Sequence, residues 1–444
     1  CGKLKVHTSY KVEQVIVLGF LLVILAGALM LWSSGRYLCN MPIGIADALF
    51  MSASAVCVTG LATVDPATQM GMASQLILLA LIQTGGLGFM TAVMMLGIAV
   101  GRRMGIKSRI FFLGGFGLEG VSGAVRLLKA VAKFTFASEF VGAVVLYWGF
   151  ARHGLPAGRS AYNAVFHSVS AFCNAGFSTV PGGLNDFSLS VIVPSAVMVL
   201  IILGGIGFPV FMNCLEAIKN KGRISHYSRL VLFITFWLIT AGALMFMVSE
   251  WDRGFAGLPD RAKVLNAFFA SVTTRTAGFD TIKPYSFSGL GKVLMIALMV
   301  IGASPASTGG GIKTTTLGVL AVSAWNEILG RDENVFWHRK VGYSTVRRAL
   351  ALAFLYVLTF FVGAVILSMT EDFPFEELLF EAVSAIGTVG LSLGITPELS
   401  VAGKMVLVVL MFWGRVGILS FFATLIREEK KVEIRYTEVN IPIG

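Results

Sequence analysis

The sequence predicts an all-α integral membrane fold in which four parallel helix–pore-loop–helix repeats surround a central pore with pseudo-fourfold symmetry. Three observations carry that prediction. The chain is 56% hydrophobic and only 13% charged over 444 residues, against roughly 45–50% and about 25% in soluble domains. Long apolar runs cover 15–32, 74–100, 130–150, 189–217, 228–249, 287–325 with a break, 347–369 and 400–425, and each reaches the ~20 residues a bilayer requires. Finally, a Phe is followed ten residues later by a Gly four times: Phe50 to Gly60, Phe166 to Gly176, Phe268 to Gly278 and Phe380 to Gly390.

Eight runs flanking four short motifs divide the chain into repeats at 1–112, 113–225, 226–340 and 341–444. Each reads as an outer helix, a re-entrant helix of about a dozen residues such as 161–172 or 374–386, a Gly-centred loop and an inner helix. Two spans per unit return the chain to the same side, so the repeats are parallel and their pseudo-axis follows the membrane normal. The non-helical loop ends are tolerable at membrane depth only where protein or a water-filled cavity covers them.

Charge sets the orientation. Residues 1–14, 101–133, 216–229, 327–348 and 426–444 hold 23 of the 35 Lys and Arg. By the positive-inside rule both termini are cytoplasmic. The net charge of +11 therefore reports topology, and no solvated basic face for nucleic acid is indicated. Five cysteines form no CxxC pair and imply neither a zinc site nor a disulfide framework. Cys1 stands where an initiator Met is expected, which points to a trimmed start. No Ser-His-Asp, paired-carboxylate or metal-ligand arrangement stands out, so no enzymatic activity is expected.

The Gly loops carry the chemistry. A dehydrated monovalent cation needs oxygen ligands, and backbone carbonyls supply them without a fixed charge that would trap it. Glycine tolerates positive φ and lets carbonyls turn toward an axis where a Cβ would clash. The coordinating collar is expected at Val58, Thr59 and Gly60; Asn174, Ala175 and Gly176; Thr276, Ala277 and Gly278; and Thr388, Val389 and Gly390.

The third inner helix is interrupted by Gly302, Ala303, Ser304, Pro305, Ala306, Ser307, Thr308, Gly309, Gly310 and Gly311, followed by Ile312 and Lys313. Proline removes a helix hydrogen bond, clustered glycines loosen the rest, and each half is too short to span alone. A helix broken in the membrane must line a cavity. The run GGGIKTTT is not a phosphate loop, because Ile312 separates Gly311 from Lys313 and no strand precedes it. The third unit alone is expected to be broken, and the fourth alone to carry an Arg on its inner helix. That residue, Arg415, sits in MVLVVLMFWGRVGILSFF, where an uncompensated charge costs about 2.5 kcal/mol or more. It is expected to face the cavity and act as a barrier to a passing cation, with hydrogen bonds to the 302–313 loop. Arg275 is expected to brace the filter from behind, with Glu381 or Asp280 as partner, and Asp65, Asp186 and Asp280 lie just outside the loops.

At these residues a resemblance appears. TGL at 59–61, NAGFS at 174–178, RTAGF at 275–279 and TVGL at 388–391 are similar to the four filter segments of the Trk/Ktr/HKT superfamily of potassium transporters. ASTGGGIK, GRVG and the short chain bring the likeness nearest to its KtrB membrane-subunit branch. It covers residues 12–444. Cys57 and Cys173, each three before a filter Gly, depart from the Thr or Asn expected there.

The resemblance implies potassium (K+) uptake across the cytoplasmic membrane through a carbonyl-lined filter, with the 302–313 segment as an intramembrane gate. Gly60, where sodium-preferring relatives carry Ser, favours K+. No covalent cofactor is implied; sodium (Na+) enters as an activating or coupled ion, and nucleotide binds the partner subunit. The partners implied are a second copy in a homodimer and a cytosolic KtrA-like RCK ring sensing ATP and ADP. The basic segments 101–109, 219–229 and 339–348 offer a docking face for that ring, although ordinary positive-inside topology explains them equally well. Two alternatives stay open: a sodium-permeable relative, and a non-conducting scaffold or sensor with a vestigial pore.

Overall fold

The computed structural model describes residues 12–88, 91, 124–219, 222–331, 333–337, 339–418 and 421. Cys1, the basic segment 101–109, residues 220–221 of the second basic segment and the tail from 427 lie outside them. Repeat 1 contains α1 (Val12–Tyr37), α2 (Ile45–Cys57) and α3 (Met72–Leu87). Repeat 2 contains α4 (Ala124–Arg152), α5 (Ala157–Cys173), α6 (Ile192–Gly205) and α7 (Phe208–Lys219). Repeat 3 contains α8 (His226–Glu250), α9 (Asp260–Thr276), α10 (Gly289–Val300) and α11 (Thr314–Ile328), and a hairpin of β1 (Val335–Phe336) and β2 (Arg339–Lys340) follows. Repeat 4 contains α12 (Tyr343–Thr370), α13 (Phe375–Gly387) and α14 (Val401–Val416).

The outer helices α1, α4, α8 and α12 contain the stretches long and apolar enough to cross a bilayer. They leave Leu22, Phe140, Phe236 and Phe354 exposed, as helices facing hydrocarbon do. The short helices α2, α5, α9 and α13 are buried along most of their length. Hydroxyls fix three of them against the outer ring. Ser52 Oγ donates to the Ile24 carbonyl (2.7 Å), Ser168 Oγ to Glu139 (2.6 Å) and Ser271 Oγ to Ile239 (2.9 Å). Glycine opposite each hydroxyl, at Gly27, Gly142 and Gly242, leaves the room for that approach.

Those hydroxyls correct the register of the third motif. Counting two residues back from each Ser reaches Phe50, Phe166 and Phe269, all fully buried or nearly so, whereas Phe268 is only half-buried. The structural counterpart of Phe50, Phe166 and Phe380 is therefore Phe269, and the third repeat is one residue shorter before its Gly. The missing residue is identifiable. Val58, Asn174 and Thr388 end their helices in the left-handed conformation, at φ 58°, 61° and 50°. α9 instead runs on to Thr276, and Ala277 stays right-handed at φ −110°. The FF doublet in the sequence offers two registers, and only burial separates them.

The inner helices overturn a second expectation, that only the third is broken. α6 and α7 meet at 95° across Ile206 and Gly207. α3 ends at Gly88 and α14 at Gly417, with φ of 81° and 90°, and Gly207 has φ 95°. Helical residues resume at Thr91 and Ile418. Side chains other than hydrogen rarely adopt such angles. The three segments TGGLG, LGGIG and WGRVG thus share one bend, and Arg415 occupies the position of Gly86 and Gly205. Within an apolar run these glycines read as packing residues, which is why the breaks escape a hydropathy pattern. Among the described residues the outer helices are long and apolar enough to cross as single helices, and α6 and α7 pass that test together as one bent pair.

Candidate ion pathway

The four Gly loops meet in a closed ring. A Cβ added to Gly60 would fall no more than 2.6 Å from the Ala175 carbonyl oxygen, one on Gly176 from that of Ala277, one on Gly278 from that of Val389, and one on Gly390 from that of Thr59. Each repeat therefore leans on the next, and the fourth returns to the first. All four glycines have positive φ, at 98°, 70°, 74° and 93°, so their loops turn in a way L side chains resist.

The pore helices hold this ring in place. Ser54 Oγ accepts from the Gly60 amide (3.0 Å) and Ser384 Oγ from the Gly390 amide (3.1 Å). Ser170 Oγ donates to the Phe177 carbonyl (2.9 Å) and Thr273 Oγ1 to that of Phe279 (2.6 Å). In each copy the hydroxyl lies four residues after the buried Phe. The C-terminal ends of the helices point at the ring, where their partial negative charge favours a cation. Behind three of them, inner-helix glycines Gly85, Gly204 and Gly414 back directly onto the carbonyls of Val56, Phe172 and Ile386.

Beside the ring lies the 302–313 segment, folded as a compact loop. Gly302 N–H donates to the Ile312 carbonyl (2.9 Å) and Ala303 N–H to that of Gly310 (3.2 Å). Its outer turn packs into the bend of repeat 2. Ser304 N–H donates to the Gly205 carbonyl (3.0 Å), Thr308 N–H to the Gly204 carbonyl (3.1 Å), and Phe208 N–H to the Ala306 carbonyl (3.0 Å). A buried backbone group needs a partner in the membrane, and here two broken helices satisfy each other.

The tip of the loop touches the base of the ring on several sides. Thr308 Oγ1 donates to the Phe172 carbonyl (3.0 Å) and accepts from Asn174 Nδ2 (2.6 Å). Gly309 packs on the Thr276 side chain. Gly310 N–H donates to Thr388 Oγ1 (3.0 Å). Three consecutive residues span roughly 7 Å at most between their outer Cα atoms, so contact with repeats 2, 3 and 4 requires a position close to the pseudo-axis.

Two cations flank the loop. Arg415 Nη1 donates to the Thr308 carbonyl, and Nη2 donates to the Gly85 and Gly86 carbonyls, the latter at 3.2 Å. The Gly85 and Gly86 carbonyls lie at the end of α3, so one guanidinium caps that helix and ties it to the loop. Lys313 Nζ donates to the Gly309 carbonyl at 2.8 Å. Both line a cavity of about 390 Å³, shared with Tyr356, Trp413 and Thr316.

Residues 10–433 match the family model described as TrkH, cation transport protein. The chain belongs to the TrkH family. It is 35% identical over 436 residues to the Ktr system potassium uptake protein B of Bacillus subtilis, covering 97% of this chain and 96% of that protein. It is 34% identical over 453 residues to the potassium/sodium uptake protein NtpJ of Enterococcus hirae, covering 100% and 99%. The crystal structure of the potassium transporter TrkH from Vibrio parahaemolyticus superposes with a TM-score of 0.75 at 20% identity, over 96% of this chain and 87% of that one. A TrkH-family membrane transporter is thus the setting for the geometry above.

Within this TrkH-family chain the expected residues fall unevenly. The four glycines and the carbonyls before them come together, as do Arg415 and the loop. Arg275 does not meet its expected partners. It is buried and donates to the Gly302 carbonyl at 3.4 Å, while Glu381 takes Ser392 and Thr396 and Asp280 takes Lys283. A backbone acceptor has no signature in sequence. Asp65 caps a short turn through the Ala67 amide (3.0 Å), and Asp186 is exposed. Cys57 and Cys173 are fully buried behind the ring. Sequence reasoning missed the hydroxyls Ser54, Ser170, Thr273 and Ser384, although a Ser or Thr four residues after the buried Phe recurs in every repeat.

Proposed function

We propose that this TrkH-family chain carries potassium into the cell through the four-glycine ring, and that the 302–313 loop is its gate. The observation supporting this most strongly is the cyclic contact of Gly60, Gly176, Gly278 and Gly390 with the carbonyls of the next repeat. Carbonyls crowded around one axis replace the hydration shell of a monovalent cation. The ligand-bearing segments are Val58 to Gly60, Asn174 to Gly176, Thr276 to Gly278 and Thr388 to Gly390, within repeats bounded near 112, 225 and 340. The relatives named for potassium uptake support K+ as the cargo.

The gate comprises Gly302 to Gly311 with Lys313, and Arg415 supplies both a barrier to the passing ion and a strut for the closed loop. The likeness to the Ktr B protein supports a cytosolic partner, read here as an RCK ring that binds ATP or ADP and acts on a homodimer. The segments 219–229 and 339–348 belong to its docking face, with both termini cytoplasmic. A second reading, joint passage or coupling of Na+, is favoured by the relative named for potassium/sodium uptake. Expression in a host lacking its own potassium uptake, with and without residues 303–312, tests the whole proposal. The full chain should restore growth at low K+ and the deletion should raise uptake further. Failure of both to restore K+ uptake would overturn it, and unchanged uptake on deletion would remove the gate.

A further inference from the structure

The atoms that hold the loop against the filter are the kind a potassium ion requires. Thr388 Oγ1 accepts from the Gly310 amide (3.0 Å), and the Phe172 carbonyl accepts from the Thr308 hydroxyl (3.0 Å). Asn174, whose amide nitrogen donates to Thr308 (2.6 Å), turns its oxygen toward the Thr276 hydroxyl at 3.4 Å. These residues are all buried. They lie at the ends of three pore helices, where the helix termini carry partial negative charge. An oxygen lone pair engaged by an N–H or O–H donor is not available to a cation. With the loop in place, its donors stand where the ion's positive charge would be. Repeat 1 contributes no such side-chain oxygen, because the residue matching Asn174 and Thr388 is Val58.

We propose that the loop tip and a potassium ion compete for the two filter-base oxygens that the tip engages, Thr388 Oγ1 and the Phe172 carbonyl. This rests on the reading of 302–313 as a gate. Its consequence is regulatory: an ion at the base favours the withdrawn loop, and an emptied base lets the loop return. The transported ion therefore opposes closure of its own gate. The size of the effect follows from linkage, since a ligand that binds only the withdrawn form raises its population relative to the closed form by 1 + [K+]/Kd.

Hydrogen exchange of the purified full chain reads this directly, because the Thr308 and Gly310 amides are bonded only while the loop is seated. Peptides covering 301–313 should exchange faster in K+ than in N-methylglucamine at equal ionic strength, by about tenfold at a K+ concentration ten times the dissociation constant. Thr388→Val should exchange quickly without K+ and lose most of the K+ response, and Thr388→Ser should restore both. Exchange in the wild-type chain that is unaffected or slowed by K+ would overturn the proposal, whatever the variants do. Slowing is the sign expected if K+ only stiffens the carbonyl ring. If deleting 303–312 raises flux while exchange ignores K+, the gate stands and the competition fails; if deletion leaves flux unchanged, the gate itself is lost.

Discussion

Arg415 offers the sharpest quantitative handle on the loop. Of its three acceptors, the Gly85 and Gly86 carbonyls belong to repeat 1 and the Thr308 carbonyl to the loop. Replacing it with Met keeps the stem and removes every donor. A hydrogen bond from a charged group contributes about 1.5–3 kcal/mol. The bond to Thr308 is made only with the loop seated. Losing it should therefore shift the seated-to-withdrawn equilibrium by roughly ten- to hundredfold toward withdrawal. Rubidium or potassium influx into proteoliposomes should rise accordingly until the open state saturates. Arg415→Lys separates charge from geometry, since an ammonium keeps the positive charge but cannot fork between two repeats. Lys should give a smaller rise than Met if both the bond and the charge oppose flux. Unchanged influx in Arg415→Met, with thermal unfolding near that of the parent, would refute the assignment of Arg415 to the closed loop.

Two further outcomes follow from the same geometry. Gly390→Ala places a Cβ against the Thr59 carbonyl at φ 93°, a strain of about 1–2 kcal/mol before any clash is counted. Potassium flux should fall more than tenfold while the protein still purifies intact, and flux at the parental level would argue against the ring. Glu250 is fully buried and accepts from Ser288 Oγ (2.5 Å), Ser288 N–H (3.1 Å) and Gly254 N–H (3.1 Å), tying the end of α8 to the start of α10. Glu250→Ala should destabilise the chain by about 2–4 kcal/mol, read as a lower midpoint in thermal unfolding in detergent.

The parts of this architecture legible in the sequence are those where a residue is costly anywhere else. Glycine at four matched positions, a Pro- and Gly-rich run inside a span, and an arginine in an apolar helix each violate a local preference, and each lies at the four-glycine ring or at the loop beside it. What stayed hidden depends on backbone partners or on burial. Phe268 and Phe269 are chemically identical, and only packing selects the second. Arg275 meets a carbonyl, not Glu381 or Asp280. The bends at Gly88 and Gly207 are stabilised by neighbours remote in sequence: the loop satisfies the carbonyls freed in α6, and Arg415 those at the end of α3. Glu371 and Ser400 repeat the Glu250–Ser288 tie one unit later, at 2.5 Å, a likeness that emerges only once the repeats are superposed by structure.

The central claim is that the four-glycine ring is a potassium-selective path. Reconstituting the purified chain without residues 303–312 and measuring 86Rb+ influx against competing K+ and Na+ tests it most directly, because the gate no longer limits the rate. Influx that is blocked by K+ at concentrations where Na+ has little effect is the predicted result. Absence of influx from the folded protein, or equal competition by the two ions, would contradict it.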